Sequence, residues 1–84
     1  MGSAMPVFYF DYDNGDGFGA ARDDVGTELA DIEAALLEAS QSMAELAADA
    51  LPGSLERQLA ILVRDERGAT KARLSLAFRA EIAG

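Results

Sequence analysis

The sequence predicts an α+β fold, a two-layer sandwich in which one long helix packs on one face of a three- to four-stranded, mainly antiparallel sheet, in the order β-(β)-α-β-β. Three observations predict it. An aromatic, alternating segment lies near the N-terminus, an alanine-rich stretch repeats apolar residues at steps of three and four, and two alternating segments follow a Pro-Gly pair. A lone helix with one apolar stripe must bury that stripe, and a single sheet face is the smallest surface that can receive it.

The first strand is Val7-Phe8-Tyr9-Phe10-Asp11-Tyr12, β-branched and aromatic, with Pro6 before it and Asn14-Gly15 after it. Period-two alternation puts Phe8, Phe10 and Tyr12 on one face and Val7, Tyr9 and Asp11 on the other. Residues 13–19 are too rich in glycine for regular structure and read as a loop. A short return strand is expected around Ala20 to Asp23, after which Gly26-Thr27-Glu28-Leu29 leads into the helix. Asp31 is the natural N-cap, since its carboxylate can accept from the free amides of the first turn, and Glu33 suits the positive end of the dipole. Ile32, Ala35, Leu36, Ala39, Met43, Leu46, Ala47 and Ala50 form the apolar stripe, and Glu38, Gln41, Ser42, Glu45 and Asp49 the opposite side. Pro52-Gly53 ends the helix.

The last two strands form a hairpin. Leu59, Ile61 and Val63 share one face of the first, with Ala60, Leu62 and Arg64 on the other. Asp65-Glu66-Arg67-Gly68 is the turn, its glycine suited to a positive φ. The final run alternates most strictly: Ala72, Leu74, Leu76, Phe78, Ala80 and Ile82 against Arg73, Ser75, Ala77, Arg79 and Glu81. This last strand is expected beside the first and antiparallel to it, with strand 59–64 on its outer side.

Composition narrows the chemistry. The chain of 84 residues has no Cys, His or Trp, which excludes a disulfide framework, a Cys/His zinc site, a thiol nucleophile and any histidine acid–base pair. Half of the residues are apolar but many are alanine, enough for one small core. Met1-Gly2-Ser3-Ala4 reads as an expression scar before a natural start at Met5, leaving residues 5–84 as a single domain. Neither a secretory signal nor a membrane-spanning run is visible, so a cytoplasmic location is expected. The net charge of -8 argues against nucleic acid as a partner. Charge is unevenly spread: residues 11–49 carry eleven acids and only Arg22, whereas residues 50–84 carry six bases and four acids.

The candidate sites are few. Asp11, Asp13, Asn14 and Asp16 form the one cluster dense enough in oxygen ligands to hold a divalent cation, although the EF-hand spacing fails because Arg22 stands where the bidentate Glu belongs. Asx turns within an acidic loop explain the same residues. The Gly15-x-Gly17-x-Gly19 spacing misses the phosphate-loop patterns, and the serines have no histidine base. Arg57, Arg64, Arg67, Lys71, Arg73 and Arg79 line the hairpin as surface charges. One helix covers one sheet face, so the second face, with Val7, Tyr9, Ala60, Leu62 and Ala77, or the edge adjoining it, is the expected interface of a homodimer.

Four blocks carry a resemblance. Met5-Pro6-x-Phe8-Tyr9-Phe10-Asp11, Asp24-x-Gly26-Thr27-Glu28-Leu29-x-Asp31-Ile32-Glu33-Ala34-Ala35, Leu51-Pro52-Gly53 and Val63-Arg64-Asp65-Glu66-x-Gly68 resemble a domain-of-unknown-function family of short bacterial proteins, abundant in rhizobia and related alphaproteobacteria. Where that family often has a proline before its capping Asp, this chain has Ala30. The resemblance implies no activity, cofactor or catalytic residue. More distantly, the aromatic strand, acidic loop and alanine-rich helix are similar to HicB-type antitoxins, which implies a toxin partner. The expectation is therefore a non-catalytic, homodimeric protein–protein interaction module without a cofactor. The alternative is a protein that binds a divalent cation weakly through loop 11–19.

Overall fold

The computed structural model describes residues 5–84; the leader Met1–Ala4, read above as an expression scar, lies outside the described residues. Four strands and one helix follow each other as β1 (Val7–Asp13), β2 (Thr27–Glu28), α1 (Ile32–Ala50), β3 (Glu56–Arg64) and β4 (Thr70–Arg79). They form an α+β sandwich in which α1 lies over β3 and β4 of one open antiparallel sheet.

The order across the sheet is β2-β1-β3-β4, so β3 and not the last strand lies beside β1. This corrects the order expected from sequence, and the reason is burial. A central strand is covered on both faces, and Leu59, Ala60, Ile61, Val63 and even Arg64 are buried in β3. In β4 the residues opposite the helix are Lys71, Arg73, Ser75, Ala77 and Arg79, all exposed, which suits an edge. Strict alternation marks a strand with one wet face, so the best-alternating run is the outer one. Because β2 and β3 are both antiparallel to β1, they run parallel to each other and α1 connects them across β1.

The core is the surface foreseen from the two periodicities. Phe8 and Phe10 of β1 and Leu59, Ile61 and Val63 of β3 meet Ala35, Ala39, Met43 and Ala50 of the helix, with Tyr12, Leu46, Ala72 and Leu74 packed around them. Alanines at the centre of the helical stripe bring its backbone close to the sheet. Among the described residues, no helix is long and apolar enough to cross a membrane.

Local signals set the element ends. The Asp31 carboxylate accepts from the Ala34 N–H at 2.9 Å, and Gly53, at φ +86°, turns the chain out of the helix. In the β3–β4 turn one Asp65 carboxylate oxygen accepts from the N–H groups of Arg67 and Ala69, each at 2.9 Å. The return strand is displaced: only Ala21 bridges β1, opposite Tyr12, and the two-residue β2 forms later, opposite Val7 and Phe8. β4 stops at Arg79, short of the expected alternation to Ile82.

Replacing the cap, Asp31→Ala, is expected to lower unfolding stability by about 1 kcal/mol. Urea titration measures it, and a change within about 0.3 kcal/mol of zero, small beside that value, would show that the cap contributes nothing.

Candidate functional site

Two features of the sheet organise everything around it. The first is a charge cluster on β1 and β3. Tyr9 and Arg64 are cross-strand partners, and Asp11 follows Tyr9 on the same face. The Arg64 guanidinium grips Asp11 with two bonds, Nε to Oδ2 at 2.7 Å and Nη2 to Oδ1 at 3.0 Å. Both residues are almost sealed from water, 9% and 6% exposed. Arg64 also stacks over the Tyr9 ring, 5.1 Å from its centroid, within cation–π range.

The third member is Asp23. Its N–H donates to Asp11 Oδ1 at 2.9 Å, and its carbonyl oxygen accepts from Arg64 Nη2 at 2.9 Å. Its carboxylate accepts from the Phe10 N–H on the outer edge of β1, and from the N–H groups of Val25 and Gly26. One aspartate thus replaces a stretch of strand, which explains why regular pairing along β1 lapses between Ala21 and Thr27. Gly26, at φ +80°, is held so near β1 that a Cβ there would sit 2.6 Å from Val7 Cγ1 and 2.9 Å from Tyr9 Cε1.

Electrostatics follow from these contacts. The Arg64 hydrogen bonds hold the Asp11 carboxyl below its ordinary value despite the opposing effect of burial. For Asp23 burial acts upward, but the amides of Phe10, Val25 and Gly26 outweigh it and the net shift is again downward. Arg64 is pushed upward, chiefly by the Asp11 hydrogen bonds.

The sequence-predicted residues separate into groups. Asp11 is parted from the acidic loop by its bond to Arg64. Asp13, Asn14 and Asp16 each cap a backbone N–H two residues ahead, on Gly15, Asp16 and Phe18, at 2.9, 3.1 and 2.9 Å. Arg57 donates to the Asn14 carbonyl and ties this loop to β3. Among the described residues no group of three or more acidic side chains is placed to hold a metal ion. Of the expected interface residues, Val7 and Tyr9 lie against Gly26 and Arg64 of their own chain, Ala60 is buried, Leu62 is half-buried, and Ala77 is exposed. The premise that the second face stands bare is corrected: the segment around Asp23 covers its β1 side. A shallow hollow of about 250 Å³ lined by Asp13, Gln58, Ala60, Arg73, Ser75 and Ala77 remains toward β4.

The Asp11–Arg64–Asp23 cluster escaped the sequence reading, which placed Asp11 with the loop and Arg64 with the surface bases. A signal was present. An acid and an arginine in the middle of otherwise apolar strands need partners wherever those strands are buried on both sides.

The second feature is the border of the sheet. β4 spans ten residues and has no partner on its outer side among the described residues. Leu76, 38% exposed, lies on its helix-facing side, and Leu36 and Leu37 of α1, 38% and 63% exposed, are the large apolar residues left uncovered on the helix.

The model of a family described as a domain of unknown function (DUF6894) matches residues 7–77. The chain belongs to this family. The matched span runs from the start of β1 to Ala77 in β4, so the charge cluster and most of the free border are part of what the DUF6894 match covers. No curated protein and no solved structure matches the chain. With no function described for DUF6894, no site residue and no partner, a toxin included, carries over from it.

Breaking the cluster tests its role. Asp11→Leu alone strands a buried guanidinium and is expected to cost about 3–5 kcal/mol. The paired change Asp11→Leu with Arg64→Met is expected to recover most of that loss, as measured by a denaturant double-mutant cycle; additive losses would contradict the pairing. Acid provides a second measurement. Asp11 and Asp23 release protons more readily folded than unfolded, so their stabilisation is complete above the ordinary Asp value of about 3.9 and disappears as pH falls through the lower folded values. The acid limb of stability against pH is expected to flatten in the paired variant.

Proposed function

We propose that this DUF6894 chain is a non-catalytic association module that joins to a second copy of itself through the β4 side of its sandwich. The observation that carries the reading is the unpaired ten-residue outer strand beside exposed leucines of the helix. A strand border presents a row of free N–H and C=O groups, and proteins that do not use such a border shorten, bulge, charge or cover it. This sheet treats its two borders differently. At β1 the outer side is filled by Ala21, the Asp23 carboxylate and β2. At β4 the irregularity lies beside the turn, between Val63 and Arg64, the charges of Lys71, Arg73 and Arg79 stand on the face away from the helix, and no described residue pairs with the outer side.

The small size of the core supports the same reading. A domain of this length buries roughly 60% of its unfolded surface, so added burial from a neighbour contributes a large share of total stability. The buried polar groups support it from another side. Among the described residues every buried side-chain nitrogen and oxygen already has a partner within the chain, so the charge cluster reads as a fastening for the loop and not as a poised reactive group.

Light scattering over protein concentrations from about 1 μM to about 1 mM is expected to give twice the 8.9 kDa monomer mass, with a melting temperature that rises with concentration. Leu76→Lys, which places a charge on the border, is expected to return the chain to a monomer. A monomer throughout that range would overturn the proposal.

A further inference from the structure

Resting on that self-association, we infer that the second copy docks strand to strand, β4 against β4 and antiparallel, with Leu74 opposite Leu74 of the partner copy, so that the sheet continues to eight strands. Charge selects this alignment. Residues that face each other across an antiparallel pair must lie on the same sheet face, so a two-fold pairing of β4 must be centred on a residue. Within Thr70–Arg79, centres at Arg73, Leu74, Ser75 and Leu76 are the ones that pair seven or more residues. Centring on Arg73 sets Arg73 against itself, centring on Ser75 sets Lys71 against Arg79, and centring on Leu76 sets Arg73 against Arg79. Each of these puts like charges directly opposite on the wet face, which is destabilising. Centring on Leu74 avoids this: Arg73 meets Ser75 and Lys71 meets Ala77. On the helix-facing side the same alignment sets Leu74 against Leu74 and Ala72 against Leu76, pairs with no charge, whereas Thr70, beyond the irregularity ahead of Ala72, pairs with Arg64 and does not continue this face.

The helix is oriented to agree. At 3.6 residues per turn, Glu38, Ser42, Glu45 and Asp49 share one flank, and Leu36, Leu37, Ser40 and Ala44 share the other. Ser42 Oγ lies 3.5 Å from the hydroxyl of Tyr12 on β1, so the acidic flank looks toward β1. The opposite flank, with its leucines and small residues and with Glu33 at its first turn, therefore overlooks the free border of β4. Because α1 lies over β3 and β4, and strands are about 4.8 Å apart, a two-fold copy across the border brings the two helices side by side at about 10 Å. That matches the 8–10 Å typical of packed helices, and it meets through the flanks of Leu36, Ser40 and Ala44, which carry Glu33 at the first turn, and not through those of Glu38, Glu45 and Asp49.

Single cysteines test the alignment, since the chain contains none of its own. Arg73→Cys, Ser75→Cys and Ala77→Cys all fall at exposed positions of β4, where the fold tolerates them. With Leu74 at the centre, residue 73 and its copy, and residue 75 and its copy, are diagonal neighbours about 7–8 Å apart. Residue 77 and its copy are six residues out of step, about 20 Å apart. A short bismaleimide is expected to cross-link Arg73→Cys and Ser75→Cys to similar extents and Ala77→Cys at least tenfold less. As an independent measurement, Leu37→Glu on the exposed helix flank is expected to weaken dimerisation at least tenfold while the melting temperature of the dilute monomer is unchanged. A dimer by light scattering with any other cross-linking pattern, including none at these three sites, would overturn this alignment and leave self-association standing. A monomer would overturn both.

Discussion

The bidentate bond between Asp11 and Arg64 is the constraint on which the second layer of this small protein depends. Two full charges are nearly removed from water between strands whose neighbours are Tyr9, Ala60 and Leu62. Desolvating them is costly, and their attraction offsets that cost only where the remaining hydrogen-bonding capacity is also filled. Asp23 fills it, giving an amide to the carboxylate and a carbonyl to the guanidinium. The loop is thereby fixed against the sheet by the requirement to satisfy a buried ion pair and not by apolar burial. A sheet covered by one helix acquires, on its β1 side, a thin second cover made of a few residues around Asp23 and Gly26.

That arrangement explains a local irregularity in β1. A strand border needs donors and acceptors along its length, and here Ala21 and β2 supply them at the two ends with the Asp23 carboxylate in between. The same side chain turns back to receive Val25 and Gly26, so the chain loops away from the sheet between them. Regular pairing would have pulled Asp23 into a strand and its backbone out of reach of Arg64. The short β2 is the consequence of choosing the clamp over the ladder.

Most of the architecture was legible in the amino-acid pattern because it follows from periodicity. Phe8 and Phe10, the helical stripe from Ile32 to Ala50 except Leu36, and Leu59, Ile61 and Val63 lie where periods of 2 and 3.6 put them, and Asp31 caps where its side chain should; Leu36, expected in the stripe, falls at its margin and stays 38% exposed. What periodicity does not encode is which strand stands beside which. The clue to that was two-sided burial: Ala60 and Leu62 make β3 apolar on both faces, whereas Lys71, Arg73 and Arg79 leave β4 apolar on one. The charge cluster was hidden for the same reason. Asp11 and Arg64 are 53 residues apart, and only once β1 and β3 are neighbours does the pairing of Tyr9 with Arg64 place the arginine beside Asp11. The acidic loop misleads in the opposite direction, because aspartates that cap their own turns have the same spacing as a set of ligands.

Charge asymmetry then connects the fold to its border. Four of the sites on the flank of α1 toward β1 are polar (Glu38, Ser42, Glu45 and Asp49) and the bases of β4 gather on the sheet face away from the helix, so Glu33, in the first helical turn, is the one acid of α1 on the side of the free strand. That angle holds Leu36, Leu37, Ala44 and Leu76. In a chain of net charge -8, two copies repel at long range, and the contact surface is favoured where local charge is lowest. The angle between α1 and β4 meets that condition and also offers unpaired backbone groups. On the proposed pairing, Lys71, Arg73 and Arg79 both guard the border and, set at intervals of two and six, leave one long alignment of β4 with itself free of directly opposed like charges.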